Sequence, residues 1–140
     1  MSSRTSKIFV TVDAVIFKPL EQTWQVLLIK RKNDPFKGKW AIPGGFVDEH
    51  EDLQIAAARE LKEETGMEVE SLQQLYTFGT PHRDPRSHTI SVTYYGFADS
   101  KAIAEAADDA EDAAWFAIDE LPELAFDHGQ IIQMAKGKAL

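Results

Sequence analysis

Between Gly45 and Met67 the chain reads GFVDEHEDLQIAAARELKEETGM, a stretch that sets seven carboxylates against only Arg59 and Lys62. It constrains the fold because both of its ends are punctuated as a helix. Asp52 stands directly before Leu53 as an N-cap candidate, Asp48 followed by Glu51 offers a second capping arrangement, and Gly66 is the residue type that accepts the left-handed conformation past a helix C-terminus. Between these signals lie about three and a half turns. At roughly 100° per residue, Glu60, Glu63 and Glu64 fall within an arc of about 100°, shared beyond the first turn only with Ala56. Leu53, Ala57, Ala58 and Leu61 make the neighbouring packing face.

Such a helix needs an apolar surface under one face and positive charge over the other. Each like-charged pair three or four residues apart costs on the order of a few tenths of a kcal/mol. Arg59, four residues before Glu63, can offset one carboxylate but not all three. Hard oxygen ligands without Cys or His favour Mg²⁺, with Mn²⁺ the alternative, and Mg²⁺ leaves coordination positions to water and substrate phosphate. Taken alone, a glutamate-rich helix is more often a solvated face.

The apolar surface is supplied by strands on either side. Ile8 to Phe17 places Ile8, Val10, Val12, Ala14 and Ile16 on one face at period two, with Phe9, Val15 and Phe17 on the other, as in an internal strand. After a turn around Pro19 to Thr23, Trp24 to Ile29 is an apolar run ending in Lys30-Arg31-Lys32, and it is expected to pair with the first strand. Trp40-Ala41-Ile42 reads as a short strand stopped by Pro43-Gly44-Gly45. Beyond the helix, a strand ends near Phe78, a loop follows from Gly79 to Ser87, and His88 to Ala98 alternates as a half-buried strand. Ala102 to Ala113 reads as a loop or frayed helix, Trp115 to Ile118 as a short strand, and Asp127 as the cap of a last helix reaching Ala135.

Charge is segregated along the chain. The net charge is -8, yet outside Gly45–Met67 and Ala102–Ala135 there remain 13 bases and seven acids. This pattern argues against nonspecific binding to nucleic acid or anionic membranes, while the basic segments suit a small anion held beside a bound cation. The chain has no cysteine, which excludes disulfides and thiolate chemistry and fits a reducing compartment. MSSRTSK leads into an apolar run too short and too punctuated for a signal peptide or a membrane span. One domain over residues 1–140, with 1–7 flexible and a cytoplasmic location, is the expectation.

At every fixed position Gly45–Met67 matches G-x5-E-x7-R-E-U-x-E-E-x-G-U, with U apolar, the 23-residue box of Nudix hydrolases. The chain therefore resembles that family, whose members hydrolyse nucleoside diphosphates linked to another group. The resemblance implies an α/β/α sandwich with a mixed central sheet. It also implies that Glu60, Glu63 and Glu64 carry divalent metal, that a carbonyl near Gly45 adds a ligand, and that Arg59 orients the carboxylates. A further acid from outside the box often completes such sites. The segment Asp108-Asp109-Ala110-Glu111-Asp112 is the natural source, with Glu111 favoured, although a solvated acidic loop fits any one of them equally well.

The substrate is indicated elsewhere in the chain. Phe78–Tyr95, with Arg83-Asp84-Pro85-Arg86, and Leu121–His128 resemble the ADP-ribose pyrophosphatase-like members. Arg83 and Arg86 offer paired donors to phosphate or ribose oxygens, and Asp84 accepts from ribose hydroxyls or locks an arginine. Trp40, Phe46 and Phe126 are candidates to stack on adenine, although aromatics beside sheets more often belong to the core. His82, His88 and His128 read equally well as loop residues forming hydrogen bonds. The expected reaction is hydrolysis of ADP-ribose to AMP and ribose 5-phosphate. The alternatives are NADH, an oxidised nucleoside triphosphate or a dinucleoside polyphosphate as substrate, or a noncatalytic ADP-ribose-binding sensor. Related enzymes are often dimers, so a homodimer is a further expectation.

Overall fold

Strand β1 (Ile8–Leu20) is the axis of the sheet, because it is apolar on both faces and paired along both edges. In the computed structural model, which describes residues 7–106 and 110–140, one edge of β1 runs parallel to β6 (His88–Phe97), from Ile8 opposite His88 to Phe17 opposite Phe97. Its other edge is shared by two antiparallel strands. Phe17–Leu20 pair with the start of β2 (Thr23–Arg31), and Thr11–Asp13 pair with β4 (Gly44–Phe46). Beyond β2 lie β3 (Trp40–Ala41) on one edge and β7 (Ala110–Ala117) on the other, and β5 (Gln73–Phe78) closes the far side against β6.

Alternation along β1 decides which helix covers which face. Val12, Ala14 and Ile16, with Leu27, Val92 and Tyr94, pack under Ala56, Ala57 and Leu61 of α1 (Leu53–Thr65). Val15 and Phe17, with Val26 and Leu28, pack against Ile131, Ile132 and Ala135 of α2 (His128–Ala139). Val12, Ile16, Phe17, Leu27 and Leu28 are fully buried. The result is the expected α/β/α sandwich on a mixed sheet. Among the described residues no helix is long and apolar enough to cross a membrane.

The ends of α1 lie where the sequence signals put them. The Asp52 carboxylate accepts from the backbone N–H groups of Gln54 at 3.0 Å and Ile55 at 3.4 Å, and Gly66 takes φ 70° with its N–H bonded to the Lys62 carbonyl.

Three other elements differ from expectation. Gly44-Gly45 does not merely stop a strand but forms β4 against β1, because a Cβ at Gly44 would lie 2.3 Å from the Val12 carbonyl and no side chain permits that approach. Ala110–Ala117 is a single strand despite its acids, since its small residues fit beside β2 and tertiary pairing outweighs the weak strand propensity of Ala, Glu and Asp. The last helix runs to Ala139 rather than Ala135, and the Asp127 side chain makes no capping bond there. Residues 1–6, Asp108 and Asp109, on which expectations of flexibility and of an acidic site residue fell, lie outside the described residues.

Candidate active site

A cleft of about 500 Å³ opens where β4, α1, the end of β2 and the loop before β6 meet. Its α1 flank carries Glu60, Glu63 and Glu64, its second flank carries Arg31, Asp84, Arg86 and Phe126, and Asp13, Ile42, Gly44, Gly45 and His128 also line it.

The α1 flank is organised by Arg59. Its guanidinium donates to both oxygens of Glu51, at 2.6 and 2.8 Å, to Glu60 at 2.9 Å, to Glu63 at 3.1 Å and to the Phe46 carbonyl at 3.3 Å. Helical spacing alone expects one partner for Arg59, but the turn before α1 brings Glu51 to it as well. The bonds from Arg59 hold the Glu51 carboxyl down at about 2, and Arg59 in turn is held above the ordinary guanidinium range, chiefly by Glu51. Glu60 is pushed up, first by burial, with Arg59 opposing and Glu63 adding to the rise. Glu64 accepts from the Gly44 N–H at 2.8 Å, which ties the helix to β4.

The donor chemistry of this flank fits a hard divalent cation. It is all carboxylate and carbonyl oxygen, and it holds more acid than Arg59 can neutralise. Gly45 makes room for it, since a Cβ there would stand 2.5 Å from the Glu60 carboxyl. Among the described residues no three acidic or histidine side chains converge on one point as they stand, and Arg59 draws Glu60 and Glu63 onto its own guanidinium.

The second flank is built from partners distant in sequence. Arg83 lines the cleft, with its side chain largely covered, and donates through Nε and Nη2 to the two oxygens of Asp127, at 2.9 and 2.7 Å, and through Nη1 to the Thr89 carbonyl. This fastens the loop to the start of α2, and it is why Asp127 does not cap that helix. Asp84, also buried, accepts from the Arg86 backbone N–H at 2.9 Å and from its Nε and Nη2 at 3.1 and 2.8 Å. Burial pushes the Asp84 carboxyl up, but the bonds from Arg86 outweigh it and the net shift is downward. Of the two roles expected for Asp84, the structure shows the arginine lock.

The aromatic candidates separate. Phe46 lines the cleft, packs edge-on against Phe9 and sits under Arg86. Phe126 lines it too, at φ 52°, with Phe36 edge-on at 4.8 Å. Trp40 does not line the cleft; it packs on Phe116, with ring centroids 4.7 Å apart, in the core under α2. Glu111 is exposed on β7 and does not line the cleft either, because the strand carries it along the far edge of β2.

Asp13 and Arg31 line the cleft without having been named as site candidates, and His128, read equally as a functional or a loop residue, lines it too. Asp13 is the single charge inside Ile8–Phe17, which was the available signal. It is buried, accepts from the Ser91 hydroxyl, and burial pushes its carboxyl up to about 6. His128 accepts from the Ile42 N–H through Nδ1 at 3.0 Å, and burial pushes it down to about 4. Arg31, at the end of β2, donates through Nε to the Pro35 carbonyl at 2.7 Å and lies over Phe126.

Comparison with known proteins agrees with this geometry. Over 124 residues the chain is 44% identical to the ADP-ribose pyrophosphatase of Methanocaldococcus jannaschii, covering 89% of this chain and 70% of that one. It is 38% identical to the ADPR responsive transcriptional repressor NtrR of Acinetobacter baylyi, but spans only 52% of that protein's length. Among solved structures, the NUDIX domain of Shewanella oneidensis NrtR in complex with ADP ribose superposes with a TM-score of 0.90 at 34% identity, over 97% of this chain and 91% of that one. With the NUDIX domain model matching residues 7–135, which include the whole of the carboxylate helix, the chain belongs to the NUDIX family.

Proposed function

We propose that this chain hydrolyses the pyrophosphate of a nucleoside diphosphate joined to another group, with ADP-ribose as substrate and AMP and ribose 5-phosphate as products. The observation that carries the proposal is one cleft with an excess of carboxylate on one flank and arginine on the other, the pairing of charges that a diphosphate bridged by cations requires. The names of the Methanocaldococcus relative and of the ADP-ribose-bound neighbour support the choice of substrate.

In this reading Glu60, Glu63 and Glu64, with a carbonyl near Gly45, hold divalent cation, and Mg²⁺ is the ion proposed. Bound there, the cation offsets charge on the pyrophosphate and acidifies the attacking water. The residues of the chain do the rest. Water adds at one phosphorus, the bridging P–O bond breaks, and a carboxylate of the α1 flank receives the proton. Arg59 keeps the carboxylates in register, Gly45 leaves space for Glu60, and Phe46 and Phe126 offer faces to the flat parts of the substrate.

The test is to incubate the protein with Mg²⁺ and ADP-ribose and identify the products. Expected are AMP and ribose 5-phosphate in equal amounts, abolished by EDTA. Intact ADP-ribose alongside rapid turnover of a nucleoside triphosphate or dinucleoside polyphosphate would overturn the choice of substrate.

A second reading is favoured by the NtrR relative, an ADPR responsive transcriptional repressor, and by the ADP-ribose complex of the NrtR NUDIX domain. There the cleft binds ADP-ribose as a signal. Tight binding with no metal-dependent turnover in the same assay would select it.

A further inference from the structure

The two ring nitrogens of His128 are in different situations. Nδ1 accepts from the Ile42 N–H at 3.0 Å, so its lone pair is committed and the neutral ring carries its proton on Nε2. Nε2 itself has no partner among the described residues. Among those residues the one buried side-chain polar atom left unpaired is Nε1 of Trp115, so Nε2 of His128 reaches open space, and the space this residue lines is the cleft. The residue is otherwise enclosed, with 5% of its surface exposed.

The ring is also held in place. His128 opens α2, its backbone N–H is bonded to the Ala125 carbonyl at 3.2 Å, and the preceding Asp127 is clasped by Arg83. The Phe126 ring lies 5.3 Å away at a tilt of 41°. Burial opposes protonation of the imidazole more than Asp127 favours it, and the charges of Arg83 and Arg31 add to the effect of burial. Moving the proton to Nδ1 would set it against the Ile42 N–H, so Nε2 is a donor that does not turn into an acceptor. A donor fixed in this way loses little freedom when a ligand arrives.

The rest of the lining decides which acceptor suits it. Ile29, Ala41, Ile42 and Phe126 line the same cleft, and Ile29, Ala41 and Phe126 belong to one apolar cluster. One neutral donor among apolar side chains fits a flat heteroaromatic ring that offers a nitrogen lone pair. A sugar hydroxyl would bring an O–H that His128 has nothing left to accept, and a phosphate oxygen is better matched by charged groups than by a neutral ring. Resting on the reading of the cleft as a nucleotide site, we propose that His128 determines base specificity, its Nε2–H donating to an unprotonated ring nitrogen of the base and rejecting a base that presents N–H at that point.

Calorimetry in EDTA, without metal or turnover, tests the contact with ADP-ribose and its 1-deaza, 3-deaza and 7-deaza adenine analogues, each of which replaces one ring nitrogen by C–H. The wild-type chain is expected to bind ADP-ribose and to bind one of the three analogues about tenfold more weakly, because the donor is then left unpaired. In His128→Asn the amide oxygen takes over the bond from the Ile42 N–H, but nothing stands in for Nε2. This variant is expected to bind ADP-ribose about tenfold more weakly and to lose the discrimination against that analogue, which a merely structural role would leave in place. His128→Gln, whose amide nitrogen reaches the place of Nε2, is expected to recover part of both. His88→Asn, at an exposed position on β6, is expected to stay within about twofold of wild type on every ligand. Should His128→Asn fail to fold, the wild-type series and His128→Gln carry the comparison. Equal wild-type affinity for ADP-ribose and all three analogues, or discrimination that persists in His128→Asn, overturns the contact. So does a loss that appears only with a 2′-deoxy or 3′-deoxy sugar. The readings fail separately. No binding of ADP-ribose removes the occupant and the contact together, binding without discrimination removes the contact alone, and discrimination in a protein that leaves ADP-ribose intact with Mg²⁺ keeps the contact and loses the hydrolase.

Discussion

The two flanks of the cleft are both dense in charge and are built in opposite ways. On the α1 flank one arginine is shared among Glu51, Glu60 and Glu63, so negative charge is left over. On the second flank Arg83 and Asp127 satisfy each other in the interior, as do Asp84 and Arg86 closer to the surface. The first flank is under-neutralised and chemically available, while the second spends most of its charge holding loops together. An arginine near a cleft is therefore not a substrate ligand by default. What decides is whether its donors are already occupied, as those of Arg83 are by Asp127 and the Thr89 carbonyl.

The largest expected effect separates the flanks by activity. Glu63→Gln or Glu64→Gln should lower kcat by about 10²-fold or more with the circular dichroism spectrum unchanged. Full activity in either variant would remove the α1 flank from the chemistry. The complementary change strikes stability. Asp127→Ala leaves the buried Arg83 guanidinium without its partner and should cost about 3 kcal/mol, read as a shift in urea midpoint at constant slope. A variant of normal stability and raised KM would mean that Arg83 binds substrate after all.

The buried titrating groups give a prediction in pH. His128 has a folded value of about 4 against 6.5 unfolded, so its contribution is complete above pH 6.5 and is lost as pH falls through 4, about 3 kcal/mol in all. Asp13 runs the other way. Its folded value is about 6 against 3.8, so its contribution is complete below pH 3.8 and lost as pH rises through 6. Because the two oppose each other, the test is a difference: wild type minus His128→Gln, followed by urea unfolding, should shrink by about 2–3 kcal/mol from pH 7.5 to pH 4.5. A difference that does not change with pH would show that His128 is not held neutral. The smallest effect is expected at Glu111, whose exposed side chain lies away from the cleft; Glu111→Gln should leave kcat within about twofold. A loss of 10²-fold there would bring β7 into the site and break the two-flank description.

Much of the α1 flank was legible because its logic is local. Glu60, Glu63 and Glu64 share a face through helical period, and Asp52 and Gly66 bound the helix through backbone geometry that depends on residues only a few positions away. The second flank joins Arg83 to Asp127 across 44 positions and sets Arg31 and Arg86 on Phe126, relations that no spacing in the chain announces. Trp40 shows the same limit from the other side. Its type suits a core residue more often than a stacking one, and its contact with Phe116 decides for the core.

The sequence by itself determined the helix, its carboxylate face, the apolar alternation of β1 and the family, since each rests on period, capping or fixed spacing within a short segment. The tertiary structure decided which charges remain available. That depends on which side chains meet across the sheet and on how far burial removes the water that would otherwise screen them, and neither quantity exists until β1, β2, β4 and the loop before β6 come together.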